Sequence, residues 1–178
     1  MAKRYAYGIE LNVLTDGNNR LEFLIDESFL QNFQYSPVKQ ANVAIVLNLH
    51  KSEFLMKLDF YFSGTAQVIC DTCLTEITYP IDARYRMIIK KAEESNFSND
   101  EIIYLGKNEI ELDLTQYFYE SFILCLPSKI GCENIAEPKP CNKEMLAKLT
   151  TVDALIDEPE KEEIDPRWDK LKDIIKNN

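Results

Sequence analysis

Residues 68–91 read VICDTCLTEITYPIDARYRMIIKK, and how this stretch divides decides the fold. "TAQVI" leads into a C-x-x-C pair, Cys70 and Cys73, and "EITYPIDARYRMIIKK" leaves it. Both flanks are rich in β-branched and aromatic side chains, so the cysteines sit at a corner between two strands. Residues two apart in a strand share a face. Arg84, Arg86 and Lys90 therefore point one way, and Tyr85, Met87 and Ile89 the other. The expectation is a positive stripe backed by core. The stripe is a candidate phosphate contact, with Lys39, Lys51, Lys57 or Lys91 adding to it and Tyr61 or Tyr79 stacking bases; the alternative is an ordinary solvated sheet face.

Outward from this corner the chain is mostly β. "RYAYGIELNVL" and "RLEFLIDESF" flank "TDGNNR", whose Asp-Gly and Asn residues accept positive φ, and together they predict an N-terminal hairpin. "DESFLQNF" predicts a short helix capped by Asp26, with Phe29 and Phe33 on one face. "ANVAIVLNLH" and "EFLMKLDFYFSG" predict two strands in the core of a sheet. "AEESNFSNDE", residues 92–101, is polar and aperiodic, a surface loop. "IIYLG" and "EIEL" then read as short strands.

At "DLTQYFYESFILCLP" the period changes. Leu114, Tyr117, Phe118, Phe122 and Cys125 fall at helical spacing, Asp113 and Gln116 have capping-box spacing, and Pro127 closes the segment. This predicts a helix near 113–126 with its aromatic stripe packed on the sheet. "SKIGCENIAEPKPCNKEMLAKL" is a loop running into a possible short helix, and it carries Cys132 and Cys141. The acidic stretch 151–165 reads as a linker, and residues 166–178, with Asp165 as cap and Pro166 at the first position, as a C-terminal helix. The expected architecture is α+β, dominated by an antiparallel, strongly curved or barrel-like sheet. A single β-rich domain with cysteine loops spans 1–150.

Composition narrows the function classes. There are 30 acidic against 20 basic side chains, a net charge of −10. Such a field repels phosphate at long range, so nucleic-acid contact needs a local basic patch. The longest apolar run, Val43 to Leu49, is far short of a membrane span, and the N-terminal segment lacks the apolar core of a signal peptide. A cytoplasmic protein without membrane contact is expected. An odd count of five cysteines in such a chain argues against a disulfide framework.

Two readings of the thiols remain open. Cys70 and Cys73 are half of a structural zinc site, and Cys132 and Cys141, at wider than knuckle spacing, can supply the other half; or all are free structural thiols. If zinc is bound, the four sulfurs must lie within about 4 Å of one another. Redox chemistry is disfavoured, because the pair lies among β-type residues rather than at a helix N-terminus and carries Asp71 and Glu76 beside it. Cys125 reads as a buried small hydrophobe. Catalytic signals are thin: the single His50 has no Ser or Cys partner in sequence, and there is no Gly-rich phosphate loop. Neither an enzyme nor a small-molecule substrate is expected.

The order of "VICDTCLTEITYPID", an acidic loop, "IELDLTQYFYESFILCLP", "GCENIAEPKPC" and the closing "DPRWDKL" resembles the YceD family of large ribosomal RNA subunit accumulation proteins. The sequence departs from that pattern at Thr72, where many members carry Arg before the second cysteine. The resemblance implies a non-enzymatic factor in accumulation or processing of large-subunit ribosomal RNA. Its partner would be the RNA, held on the Arg84, Arg86 and Lys90 face, or a basic ribosomal protein bound through acidic surface. A structural zinc-binding interaction module unrelated to RNA is the alternative.

Overall fold

The computed structural model describes residues 7–95, 102–106, 108–135 and 137–156. Helix 166–178 and most of the 151–165 linker lie outside the described residues, as does much of the 92–101 loop. The chain divides into two units, 1–141 and 142–178. The first is built on a five-stranded sheet in the order β2(Gly17–Ile25), β3(Gln40–Lys51), β4(Leu55–Ile69), β5(Glu76–Ala92) and β6(Ile102–Gly106). Neighbours pair antiparallel except β5 and β6, which run parallel over Ile88–Ala92. The second unit contains α3(Lys143–Ile156), which continues into the first part of the stretch read as a linker.

The α+β class and the dominance of a mostly antiparallel sheet hold. Closure does not: the sheet ends on β2 and β6, so it is open rather than a barrel. The N-terminal hairpin is also corrected. β1(Gly8–Glu10) pairs with β7(Glu111–Asp113) in a separate two-stranded sheet, while β2 pairs with β3. The turn residues are real: Asn19 Nδ2 donates to the Thr15 carbonyl (2.8 Å), and Gly17 takes φ +91°. Pairing follows extent instead, since β3 offers β2 a register along its whole length, Gly17 to Ile25, which the short β1 cannot.

Alternation sorts the sheet into two faces. Ile45, Leu47 and Leu49 of β3, Leu58, Phe60 and Phe62 of β4, and Met87 and Ile89 of β5 are almost fully buried. Aromatic rings from α2(Thr115–Leu124) meet this inner face. Phe118 lies 5.0 Å from Phe23 and 5.8 Å from Phe60 between centroids, and Tyr117 lies 4.8 Å from Phe60. The expected capping box is absent. Asp113 Oδ1 instead accepts from the Thr115 N–H and hydroxyl, and Gln116 bonds Glu120 one turn on. Among the described residues, no helix is long and apolar enough to cross a membrane.

The short helix α1(Glu27–Leu30) is capped as its sequence predicts. Asp26 Oδ1 accepts from the Phe29 N–H (3.0 Å) and the Ser28 hydroxyl (2.6 Å). The Ser28 hydroxyl first, and then the Phe29 N–H, hold the Asp26 carboxyl below its ordinary value. A depressed folded-state value means the ionised cap stabilises at neutral pH and that this contribution is lost as pH falls through it. For this exposed cap, Asp26→Ala should cost about 0.5–1 kcal/mol at pH 7. In urea melts the difference from wild type should shrink below about pH 4; a gap independent of pH would show that the carboxylate is not what stabilises the helix.

Candidate metal centre and nucleic-acid interface

The corner after β4 is built by backbone hydrogen bonds. The Cys70 N–H donates to the Thr75 carbonyl and the Leu74 N–H to the Cys70 carbonyl, both 2.9 Å. Leu74 turns the chain with φ 56°, a left-handed conformation that costs a non-glycine residue roughly 1 kcal/mol. A second segment is clamped onto this corner. The Asp71 N–H donates to the Ile130 carbonyl (2.8 Å), and the Ile130 N–H donates back to Asp71 Oδ2 (2.6 Å). Asp71, read from sequence only as a charge that disfavours a thiolate, is thus the strut between the two halves. Nothing local in the sequence signals that role, because its partner is far along the chain.

The clamp brings Cys132 beside the corner, and Cys141 joins it. The sulfurs of Cys70 and Cys141 lie 3.9 Å apart, and those of Cys73 and Cys132 3.5 Å apart. All four lie within 4.8 Å of one another. Tetrahedral coordination at ~2.3 Å per bond requires sulfur separations near 3.8 Å; the two closest pairs bracket that value, and the set as a whole is slightly more open than the 4 Å expected. Cys70, Cys73 and Cys132 are buried and Cys141 half-buried, and all are free thiols. These four cysteines can hold a metal ion.

Burial opposes ionisation of Cys70, but backbone N–H groups of Cys73 and Thr72 aimed at its sulfur outweigh it and hold the thiol below its ordinary value. Burial, together with the neighbouring thiols, pushes Cys132 and Cys141 the other way. One sulfur is therefore prepared as an anion, whereas the others need a cation to offset the cost of losing their protons. An all-sulfur, near-tetrahedral donor set suits zinc or iron and is unsuited to the hard cations magnesium and calcium. Cys125 stands outside the cluster. It is half-buried, and its thiol donates to the Ser121 carbonyl (3.1 Å).

The opposite face of the sheet is exposed, and Arg84, Arg86 and Lys90 all lie on it. Their settings differ. Arg86 Nε donates to Asp59 Oδ1 at 2.6 Å, directly across the β4–β5 pair. The Arg84 guanidinium lies 5.2 Å from the centroid of Tyr61, its partner in register. Lys90 stands opposite Leu55. Of the additional residues, Lys57 shares this face, whereas Lys51 is spent on the carbonyls of Leu14 (2.9 Å) and Leu11. Tyr79 alternates with Thr78 and Pro80 and shares the inner side with Ile77 and Ile81, so only Tyr61 stands on the open face. Sequence reading missed the residues that β2 and β3 add there, Arg20, Asn48 and His50.

Residues 58–175 match the family model described as "Large ribosomal RNA subunit accumulation protein YceD". This chain belongs to the YceD family. The match includes all four clustered cysteines and the whole of β5. Outside this YceD match, no curated protein and no solved structure is similar to the chain.

Proposed function

We propose that the protein is a non-enzymatic factor supporting accumulation or processing of large-subunit ribosomal RNA, which it contacts directly. In this reading a structural zinc on Cys70, Cys73, Cys132 and Cys141 fixes one end of the fold. Arg84, Arg86 and Lys90 contribute to RNA binding on the open sheet face. The observation that carries the proposal is that the YceD match contains both the converging thiols and this cationic strand. Cysteine chemistry supports the zinc: Cys70 is prepared as a thiolate by backbone N–H groups, as a metal ligand requires.

The net charge of −10 favours a second reading, in which acidic surface holds a basic ribosomal protein and RNA is untouched. Salt separates the two. Binding of the full chain to a large-subunit ribosomal RNA fragment should weaken linearly with the logarithm of salt concentration. Replacing Arg84, Arg86 and Lys90 together by Ala should reduce that slope by about 2, because each single-strand phosphate contact contributes about 0.7. An unchanged slope would remove these three residues from the interface. Absence of any RNA binding, alongside capture of a purified basic ribosomal protein, would establish the second reading instead.

A further inference from the structure

The cations of the open face are partly neutralised where they stand, and this bears on what kind of RNA they can hold. Arg86 is paired with Asp59, and Arg20 donates to Glu22 at 3.1 Å. Asp82 stands opposite Ser63 on the same face. A surface that recognises duplexes works through phosphates and shape and needs unopposed cations. This one offers something else. Tyr61 is 36% exposed and lies beside the Arg84 guanidinium, so two flat π-bearing groups are presented together. Bases stack on both aromatic rings and guanidinium planes.

The register places hydrogen-bonding groups next to that platform. Arg20, Asn48, Asp59 and Arg86 form one row across four strands, and Glu22, Val46, Tyr61 and Arg84 form the next. Neighbouring strands lie ~4.8 Å apart. Two adjoining open concavities lie along these rows, one of about 330 Å³ lined by Arg20, Asn48 and His50, the other of about 320 Å³ lined by Tyr61, Arg84 and Arg86; Asp59 lines both. Asn48 supplies amide donors and an acceptor, and His50 Nδ1 is held at 2.8 Å from Asn18 Oδ1. Such groups read base edges. The Asp59 carboxylate, central between the two hollows, repels phosphate but accepts from ring and exocyclic N–H groups. It favours a strand whose bases face the sheet and whose backbone runs toward the flanking cations.

We infer that the open face binds unpaired RNA through its bases, with Tyr61 and Arg84 as the stacking platform and Asn48 and Asp59 as edge-reading groups. The inference rests on the RNA reading above and names the form of RNA that this face takes. Base edges and ring faces are available together only in unpaired segments, so loops and ends of a ribosomal RNA are its targets and continuous helices are not.

The test uses the full chain, a labelled mixed-sequence RNA 12-mer without self-complementarity, and the same strand annealed to its complement, followed by fluorescence anisotropy. The single strand should bind at least ten-fold more tightly than the duplex. Tyr61→Ala should weaken single-strand binding about ten-fold or more, with the slope against salt unchanged, because a stacked base and no phosphate contact is lost. Tyr61→Phe should bind like wild type, since the ring remains. Tyr61 is at the surface, so unaltered circular dichroism and metal content should accompany both substitutions. Equal affinity for single strand and duplex, or Tyr61→Ala binding like wild type, overturns the inference and leaves an RNA contact standing. Failure of wild type to bind either form overturns both.

Discussion

Purified without added metal, the chain is expected to carry close to one zinc ion per molecule, and Cys73→Ser to carry far less. The magnitude follows from what the site does mechanically. Apparent binding free energies of structural zinc in small folded peptides run ~10–16 kcal/mol, so loss of one of four sulfurs should cost roughly 3 kcal/mol or more of local stability. Cys73 is buried with its sulfur 3.5 Å from that of Cys132, and a serine hydroxyl there is both a poorer zinc ligand and a polar group in a dry site. The damage should be regional. The sheet has its own core in Phe60, Phe62, Leu47 and Met87, which does not touch the cluster, whereas the loop carrying Cys132 is tied to the corner chiefly by the Asp71–Ile130 clamp.

Chelation should therefore leave the hydrogen-exchange protection of β3 and β4 largely intact and abolish that of the amides around 70–75 and 130–132. Because thiols must lose protons to bind, zinc should also be released as pH falls. Wild type purified without metal, or chelation that leaves exchange at the corner unchanged, would end the zinc proposal. Cobalt substitution distinguishes a tetrahedral all-sulfur site from adventitious binding by its d–d spectrum, which should be lost in Cys73→Ser.

What sequence could tell about this molecule depends on the range of the interaction concerned. The Asp26 cap, the strands β3 to β5 and the helical spacing of Leu114, Phe118 and Phe122 are local. Each is written in alternation, in 3.6-residue periodicity or in one side chain bonding three residues away. The four cysteines were nominated by residue type and by the half-site that a C-x-x-C makes, while their convergence depends on the Asp71 carboxylate finding the Ile130 N–H, for which no spacing rule exists. The partner of β1 could not be read for the same reason: a good turn predicts reversal of the chain, but β2 and β1 each found a longer-range strand that suited them better. The direction of Arg84, Arg86 and Lys90 was legible from parity alone. Their environments were not, because the Asp59 that neutralises Arg86 and the Tyr61 beside Arg84 come from the neighbouring strand in a register fixed by the whole sheet.

That register has a point of extreme sensitivity at Gly64, and Gly64→Ala is expected to be among the most destabilising single substitutions in the chain. Gly64 lies within β4, opposite Val43 on one side and Ile81 on the other. A Cβ there would stand 2.1 Å from the Asn42 carbonyl oxygen and 2.7 Å from the Val43 Cα. Both are backbone atoms of the central strand β3, so no rotamer change relieves the clash and the two strands must move apart. Val43 is fully buried, and its displacement disturbs packing as well as hydrogen bonding. The cost should be roughly 3 kcal/mol or more.

Gly17→Ala provides the control. That residue also has positive φ, +91°, but a Cβ there meets nothing within 4 Å, so only the backbone penalty of roughly 1–2 kcal/mol applies. If urea unfolding finds Gly64→Ala no more harmful than Gly17→Ala, close approach of the strands is not what glycine provides at residue 64. The expected larger loss has a functional corollary. β4 carries Tyr61 on one side of Gly64 and ends one residue before Cys70 on the other. A strand forced away from β3 at that point moves the open face and the metal corner together, so Gly64→Ala should weaken both RNA binding and zinc retention although it touches neither.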